Sequence, residues 1–292
     1  MRLHLVDGTY ELYRAHYAPR PQHFDPLGRD AKATVGIVES LLALLRDPQE
    51  AVTHIAVAFD NPIRSFRNDL FPPYKSDADV PPELRAQFDA AEDAVRAIGV
   101  VVWSMREYEA DDGLASGARR FHSQVEQVRI LTPDKDLGQC LQGDRVVQVD
   151  RRQQKVLNEA AFRAERGFGP ESMPDFLALT GDRADGIPGL PGFGKKSASL
   201  LLGVYARLEG IPANPSKWKV KPRGAVQLAA TLAERREDAL LYRKLATLVE
   251  TVPLGASLED LEFLGVPRER FECWCDELGV QRLKTVPRHF CP

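Results

Sequence analysis

Nine carboxylates lie in five short blocks of the sequence, and four of these blocks follow or adjoin an apolar run. Acidic side chains at the carboxyl ends of buried strands are costly unless a cation lies among them. Carboxylate oxygens suit hard divalent cations, and a pair of such ions is the usual apparatus for hydrolysing phosphodiesters. The blocks therefore predict a metal-dependent nuclease. The predicted metal ligands are Asp7, Asp60, Glu109, Asp111, Asp112, Asp134, Asp136, Asp182 and Asp185.

The elements that must position these acids alternate along the first half of the chain. Strands are predicted at 2–7, 54–60, 98–104, 127–132 and 145–149, and helices at 31–46, 82–98 and 110–122. Strands separated by helices of this size indicate an α/β fold, a parallel sheet with helices on both faces. Ligands bind such a sheet beyond the carboxyl ends of its strands, where Asp7, Asp60 and the pair Asp134 and Asp136 are expected.

The acidic block at 109–112 has a second interpretation. It opens a predicted helix, and the dipole of a helix favours acids in the first turn. Simple capping is therefore the alternative for Glu109, Asp111 and Asp112. The convergence of the other blocks on one edge of the sheet favours metal binding.

Residues 61–82 interrupt the alternation with a proline-rich segment of mixed charge. A long irregular segment inside a compact α/β domain is usually functional or disordered. Its cationic and aromatic side chains, together with Arg85, follow the strand that ends at Asp60, and a solvated surface loop is the alternative. These side chains are Arg64, Arg67, Tyr74, Lys75 and Arg85.

A glycine-rich turn at 187–199 leads into a helix predicted to begin near Lys195. Glycines let a backbone approach a phosphate closely, and the free N–H groups of a helix start point at it. The spacing fits neither a dinucleotide fingerprint nor a P-loop. A hairpin that grips a nucleic-acid backbone between two helices is predicted, with a plain helix–helix turn as the alternative. The predicted contacts are Gly189, Gly192, Gly194, Lys195 and Lys196.

Length, net charge and hydropathy indicate the size, surface charge and location of the protein. The 292 residues suffice for one large domain or two modest ones, and residues 160–250 read as mostly helical. The net charge of −3 becomes +6 once the nine clustered acids are taken away, which is mildly basic. With neither a membrane-length apolar run nor a signal-peptide pattern, a cytoplasmic location is expected. The protein is also expected to be a monomer.

The cysteines give no disulfide framework at this length. Cys273, Cys275, His289 and Cys291 could suggest a zinc site, but the single-residue gap between the first two is tighter than usual. Reduced thiols in a C-terminal helix are favoured.

The chain resembles the 5′ nuclease family, which includes the N-terminal nuclease domain of bacterial DNA polymerase I, phage 5′ exonucleases and flap endonucleases. The resemblance covers about residues 1–250. Its blocks are LVDGTYELYRAHYA, AFDNPIRSFRNDLFPPYK, EYEADDGLAS, RILTPDKDLGQ and LTGDRADGIPGLPGFGKKSA.

The resemblance implies a PIN-like fold with a mostly parallel central sheet flanked by helices, a helical arch and a helix–three-turn–helix DNA-binding subdomain. It places the α/β nuclease domain at 1–165 with the arch at 64–90. The helical subdomain follows at 166–250 with the hairpin at 187–196, and a C-terminal extension at 251–292.

The resemblance also implies two Mg²⁺ or Mn²⁺ ions. Asp7, Asp60, Glu109, Asp111 and Asp112 correspond to the first-metal group, and Asp134, Asp136, Asp182 and Asp185 to the second. Asp112 and Asp185 are expected to ligate through water. A K⁺ ion on backbone carbonyls of the hairpin would help to bind duplex DNA.

In the arch, Arg67, Lys75 and Arg85 match basic positions and are the expected catalytic cations, while Tyr74 and Arg64 are expected to contact DNA. The chain departs from the family at Ala78 and Pro191, where basic or polar residues are common.

The predicted function is that of a stand-alone, structure-specific 5′ nuclease acting on 5′-flap or 5′-ended DNA. Two alternatives stay open. One is a non-catalytic protein that binds branched DNA, and the other is a ribonuclease of the related PIN type.

Overall fold

The computed structural model describes residues 1–291, apart from the side chain of Asp79. Its strands are Arg2–Asp7 (β1), His54–Asp60 (β2), Val101–Met105 (β3), Gln127–Leu131 (β4), Val146–Asp150 (β5), Lys155–Leu157 (β6), Val266–Pro267 (β7) and Phe290–Cys291 (β8). Its α-helices are Gly8–Tyr17 (α1), Lys32–Leu45 (α2), Arg67–Leu70 (α3), Pro82–Arg85 (α4), Phe88–Ala97 (α5), Ala110–Phe121 (α6), Glu159–Arg166 (α7), Met173–Thr180 (α8), Lys195–Tyr205 (α9), Ala225–Glu234 (α10), Arg236–Ala246 (α11) and Arg268–Glu277 (α12).

The central sheet has the strand order β3-β2-β1-β4-β5-β6. Strands β1 to β5 are parallel, and only β6 runs antiparallel to its neighbour. The predicted mostly parallel α/β sheet is confirmed. The short β6 was not predicted, because its three residues are too few to show a period. The carboxyl ends of β1, β2 and β4 therefore meet at one edge.

Strand β1 is buried on both faces, which suits a central strand of a parallel sheet. Leu3 and Leu5 belong to the core under α6, whereas Val6 belongs to the core under α1, α2 and α5. The alternation of side chains along a strand thus sends neighbouring residues into two separate cores. The sheet is held rigidly from both sides beneath its acidic edge.

Two predicted boundaries differ from the structure. The helix predicted at 82–98 is divided into α4 and α5, because the buried Gln87 side chain accepts hydrogen bonds from the N–H groups of Ala33 and Thr34 at 3.0 and 3.1 Å. The strand predicted from residue 98 begins at Val101. Gly99 adopts a φ of +80° there, which turns the chain out of α5 before the strand can start.

The segment at 64–90, expected as a helical arch, consists of short pieces. It contains α3, a 3₁₀ turn at Asp77–Asp79, α4 and the start of α5. Prolines at 72, 73, 81 and 82 prevent a longer helix. Tyr74, Leu84 and Phe88 are buried, so this segment packs onto the body of the molecule.

The second half of the chain forms a helical unit with its own hydrophobic core, as predicted for residues 160–250. The core joins α7 to α11, with buried side chains such as Phe162, Phe176, Leu201 and Leu245. The chain then returns to the sheet: Val252, Leu254 and Leu261 enter the core under α6, and α12 packs beside α5. The C-terminal segment is therefore part of the packed body.

The cysteines do not gather into a metal site within residues 1–291. Cys275 is buried in the core beside α5, whereas Cys273 is exposed on the same helix. Cys291 donates to the backbone oxygen of Gly265 at 3.2 Å. All four cysteines are free, and Cys273 and Cys275 lie in α12 as predicted for a C-terminal helix, whereas Cys291 lies in β8.

The hairpin between α8 and α9 depends on glycine at two touching positions. Gly181 and Gly189 have φ of +76° and +72°. A Cβ atom on Gly189 would lie 2.4 Å from the backbone nitrogen of Gly181. The two arms of the hairpin therefore approach too closely for any side chain at this position.

Replacing Gly189 with alanine tests this contact. We expect Gly189→Ala to lower the free energy of unfolding by roughly 1–3 kcal/mol more than Gly255→Ala, because of the added backbone clash. Gly255 is the matched control, since its φ is +66° and nothing lies within 4 Å of its Cβ position. Urea denaturation measures both variants, and equal losses would contradict the close approach.

Candidate active site

Two carboxylates of the predicted first group are oriented by backbone groups at the ends of β1 and β2. Asp7 caps α1 by accepting the N–H of Tyr10 at 2.8 Å, and its other oxygen accepts the hydroxyl of Thr132 at 2.9 Å. Asp60 accepts the N–H of Ala110, the first residue of α6, at 2.8 Å. Both acids therefore point to the sheet edge because strand ends and helix starts hold them there.

Glu109 joins them from the N-cap position of α6. One of its oxygens accepts the hydroxyl of Ser65 at 2.7 Å and lies 3.0 Å from Nη1 of Arg67. The other oxygen lies 2.8 Å from Nζ of Lys75. Glu109 is thus buried but supported by two cations and a hydroxyl.

Asp112 and Arg67 lie elsewhere than expected. The Asp112 side chain is 0% exposed, and its two oxygens accept both Nη atoms of Arg67 at 2.7 Å. Adjacent residues on an α-helix point about 100° apart, so Asp111 and Asp112 cannot both face the sheet edge. The structure therefore does not place Asp112 among the predicted metal ligands or Arg67 on the predicted path of DNA.

The second predicted group forms a compact cluster. Asp136, Asp182 and Asp185 each offer one oxygen within 4.8 Å of the others. Asp134 lies beside them as the N-cap of the 3₁₀ turn Lys135–Cys140 and accepts the N–H of Asp136 at 2.9 Å. Oδ1 of Asp136 is buried without a hydrogen-bond partner.

Two lysines lie among the acids. Nζ of Lys75 is 2.8 Å from Glu109 and 3.0 Å from Asp185, so it bridges the two predicted groups. The ammonium of Lys135 pairs with Asp182 and lies 3.4 Å from Asp136. Neither Lys135 nor Thr132 was predicted as a site residue. Lys135 stands between two predicted acids in the sequence, and Thr132 ends the predicted strand before Asp134, so their positions could have indicated both.

The acids destabilise one another's charged forms. Burial, followed by the charges of Asp60 and Asp134, raises the pKa of Asp7 to about 7. Burial and Asp134 likewise raise the pKa of Asp111 and of Asp136 well above the usual range. Burial also acts on Glu109, but Lys75 and Arg67 outweigh it and lower its pKa. The nearby cations therefore offset burial and mutual repulsion at Glu109, but not at Asp7, Asp111 or Asp136.

These donors fit hard divalent cations. All are carboxylates: Asp7, Asp60 and Asp134 end or follow neighbouring parallel strands, whereas Glu109 opens α6 and Asp182 follows α8. The buried Oδ1 of Asp136 accepts no hydrogen bond from the described residues and lies 3.4 Å from Nζ of Lys135. The arrangement is a cluster of acids whose oxygens suit a divalent cation.

The remaining predicted residues surround this edge. Arg85 pairs with Asp77 at 2.7 Å beside a cavity of about 160 Å³ that Asp60 also lines. Arg64 is exposed and pairs with Asp69 at 2.8 Å. Tyr74 is buried, and its hydroxyl donates to Glu109 at 3.3 Å. It therefore supports this acid and is not exposed for the predicted contact with DNA.

The hairpin directly continues the second group. Asp182 pairs with Ile187 through both backbone hydrogen bonds, at 2.8 and 2.7 Å. Gly189, Gly192 and Gly194 follow in this turn, and α9 begins at Lys195 as predicted. The side chains of Lys195 and Lys196 are exposed at its first turn.

Comparison with known proteins identifies the family. Residues 2–167 match the 5′-3′ exonuclease N-terminal resolvase-like domain, and residues 168–269 match the 5′-3′ exonuclease C-terminal SAM fold. The chain belongs to the 5′-3′ exonuclease family. This confirms the predicted resemblance and the predicted enzyme class.

Relatives support the assignment at the level of sequence. The chain is 32% identical to the 5′-3′ exonuclease of Buchnera aphidicola, over 89% of this chain and 85% of that protein. It is 36% identical to DNA polymerase I of Pseudomonas aeruginosa and 33% identical to that of Bacillus caldotenax, over 94% and 96% of this chain. The chain spans about a third of the length of these polymerases.

Solved structures support the fold. The bacteriophage T5 5′-exonuclease with bound zinc has a TM-score of 0.66 at 17% identity, covering 95% of this chain and 98% of that one. The catalytic core of Rad2 in complex with a DNA substrate has a TM-score of 0.62 at 15% identity, covering 97% and 90%. In residues 1–291 no helix is both long and apolar enough to cross a bilayer. The cytoplasmic location and the monomeric state stay predictions.

Neutralising one buried acid tests the electrostatics of the site. We expect Asp111→Asn to raise the free energy of unfolding of the metal-free protein at pH 7 by roughly 0.5–2 kcal/mol. A carboxyl whose pKa is raised by folding destabilises the folded state above its unfolded pKa, and asparagine removes this penalty.

Urea denaturation in EDTA at pH 4 and pH 7 measures the effect. The gain should shrink at pH 4, where the carboxyl is protonated in the folded protein. Glu234→Gln, an exposed acid at the end of α10, is the control and should change little. A destabilised Asp111→Asn variant at pH 7 would show that the acid is satisfied without a metal.

Proposed function

We propose that this chain is a structure-specific 5′ nuclease that hydrolyses phosphodiesters of 5′-flap or 5′-ended DNA with two divalent ions, Mg²⁺ or Mn²⁺. The observation that supports this most directly is the convergence of two carboxylate groups on one sheet edge, with Lys75 between them. Membership of the 5′-3′ exonuclease family supports the same reaction.

The residues that would hold the ions divide between the two groups. Asp7, Asp60, Glu109 and Asp111 would hold the first, and Asp134, Asp136 and Asp182 the second, with Asp185 acting through water. Asp112 would not hold an ion, because both of its oxygens accept hydrogen bonds from Arg67. Bound ions of this kind activate a water, polarise the scissile phosphate and stabilise the leaving oxygen.

Lys75 would act on the substrate itself. Its side chain is 25% exposed, so its ammonium can reach a phosphate from the solvent side. A cation placed where negative charge develops stabilises the transition state more than the bound substrate. The backbone N–H of Lys75 donates to the backbone oxygen of Asp185 at 3.1 Å, and this hydrogen bond fixes the position of the backbone from which the side chain extends.

DNA would enter along the surface that the hairpin and the segment 64–90 border. The hairpin would hold the duplex backbone through Lys195, Lys196 and the N–H groups at the start of α9, with a K⁺ ion on its carbonyls. Such contacts position a duplex without reading its sequence. Arg64 and Arg85 would guide the single-stranded 5′ end. In this proposal residues 1–165 form the nuclease domain, residues 166–250 form the helical DNA-binding subdomain, and residues 251–292 form a C-terminal extension.

Cleavage of a labelled flap tests the function. We expect an end-labelled 5′-flap duplex to be cut near its junction in Mg²⁺ or Mn²⁺, and the cutting to disappear in EDTA and in the Asp134→Ala variant. A flap of the same sequence in RNA should be cut poorly. Binding without cutting under either metal would favour a branched-DNA-binding protein, and preference for the RNA flap would favour a PIN-type ribonuclease.

Replacing Lys75 separates chemistry from binding. We expect Lys75→Ala to lower kcat about a hundredfold or more, since a lost preorganised contact typically costs roughly 3–4 kcal/mol of transition-state stabilisation. The Kd for the flap, measured in EDTA by fluorescence anisotropy, should change little. Losses of equal size in binding and in turnover would contradict this role.

A further inference from the structure

Arg67 uses its whole guanidinium group inside the protein. The side chain is 1% exposed. Its Nη atoms donate to Asp112 at 2.7 Å and to Glu109 at 3.0 Å, and its remaining donors reach the backbone oxygens of Leu245 and Thr247 at 2.7 and 3.0 Å. Five hydrogen bonds match the five donors of the group. This arginine therefore fixes several distant segments at once.

The two backbone oxygens belong to a segment that leaves the helical unit, here called the strap and defined as residues 245–252. Asp112 also accepts the N–H of Val249 at 2.8 Å. The hydroxyl of Ser116 bonds to Val249 and Val252, both at 2.9 Å. The strap is thus attached to α6, the helix that carries Glu109 and Asp111 at its start.

The strap is attached to the second group as well. Gln139 lies in the 3₁₀ turn that carries Asp136. Its amide donates to the backbone oxygen of Ala246 at 2.9 Å and accepts the N–H of Leu248 at 3.3 Å. Because the strap follows α11, which packs on α8, it links the helical unit to both carboxylate groups.

We propose that Arg67 is a positioning residue that fixes Glu109 for the first metal ion and holds the strap, and with it the helical unit, against the acidic edge. The inference rests on the proposed function only for the identity of the ligand, a divalent cation. Removing Arg67 would leave two buried carboxylates, Glu109 and Asp112, without their shared cation, and each would move toward another partner.

Lysine cannot replace this group. A lysine ammonium keeps the charge but offers three donors from a single point, whereas the planar fork serves two carboxylates and two carbonyls together. Groups that orient a metal ligand typically contribute 10- to 100-fold to metal affinity or activity. The substitution Arg67→Lys therefore separates geometry from charge.

The experiment compares Arg67→Lys with the wild type by Mn²⁺ titration without DNA, followed by electron paramagnetic resonance, and by flap kinetics. We expect about tenfold weaker Mn²⁺ binding and a kcat lowered about tenfold or more, with little change in KM. In Arg67→Lys, amide hydrogen exchange in residues 245–252 should be faster than in the wild type, whereas exchange in the sheet should change less.

Arg129→Lys is the matched control. Arg129 is another buried arginine with a two-point contact to a carboxylate, Glu50, at 2.7 and 3.0 Å, but it lies in the middle of β4. It should lose stability without losing Mn²⁺ affinity. Equal losses in both variants, or wild-type Mn²⁺ binding and kcat in Arg67→Lys, would overturn the proposal.

A second variant covers the case in which Arg67→Lys does not fold. Asp112→Asn keeps the shape of the partner and removes its charge, so it should also weaken Mn²⁺ binding, and wild-type affinity would overturn the proposal. A wild type that binds Mn²⁺ but cuts no DNA would contradict the proposed function alone. The positioning role would then still be decided by the Mn²⁺ titration.

Discussion

The structure depends on the repulsion among acids buried at one edge of a parallel sheet. Burial raises the pKa of Asp7, Asp111 and Asp136, so each charge there costs folding free energy. A fold can bear this cost only where the backbone is held by other means. The buried strands β1 and β2, with cores on both faces, supply that support.

The same edge gathers residues that are far apart along the chain. Arg67 bonds to the backbone oxygen of Leu245, 178 residues later, and Lys75 touches both Glu109 and Asp185. Each contact closes a long loop, and its entropy cost must be met by the packing of the two halves. The acidic edge can consequently form only when the helical unit is packed against the sheet.

The sequence predicted the sheet and the strand ends that carry Asp7 and Asp60, because each depends on a local pattern of an apolar run followed by aspartate. It could not predict which of Asp111 and Asp112 faces the edge, since that depends on the rotation of α6 against the strap. Nor could it predict the break between α4 and α5, which is made by Gln87 reaching α2. Both outcomes are decided by tertiary contacts that override local propensity.

The cations at the edge differ in how firmly they are held. Lys75 and Lys135 are 25% and 37% exposed and reach their acids on flexible stems, so both ammonium groups are open to solvent. Arg67 is 1% exposed and all five donors of its guanidinium group are bonded, so it is held more firmly than either lysine. Glu109 touches one cation of each kind. Arg67 therefore orients Glu109 from inside the protein, whereas the contact of Glu109 with Lys75 is open to solvent.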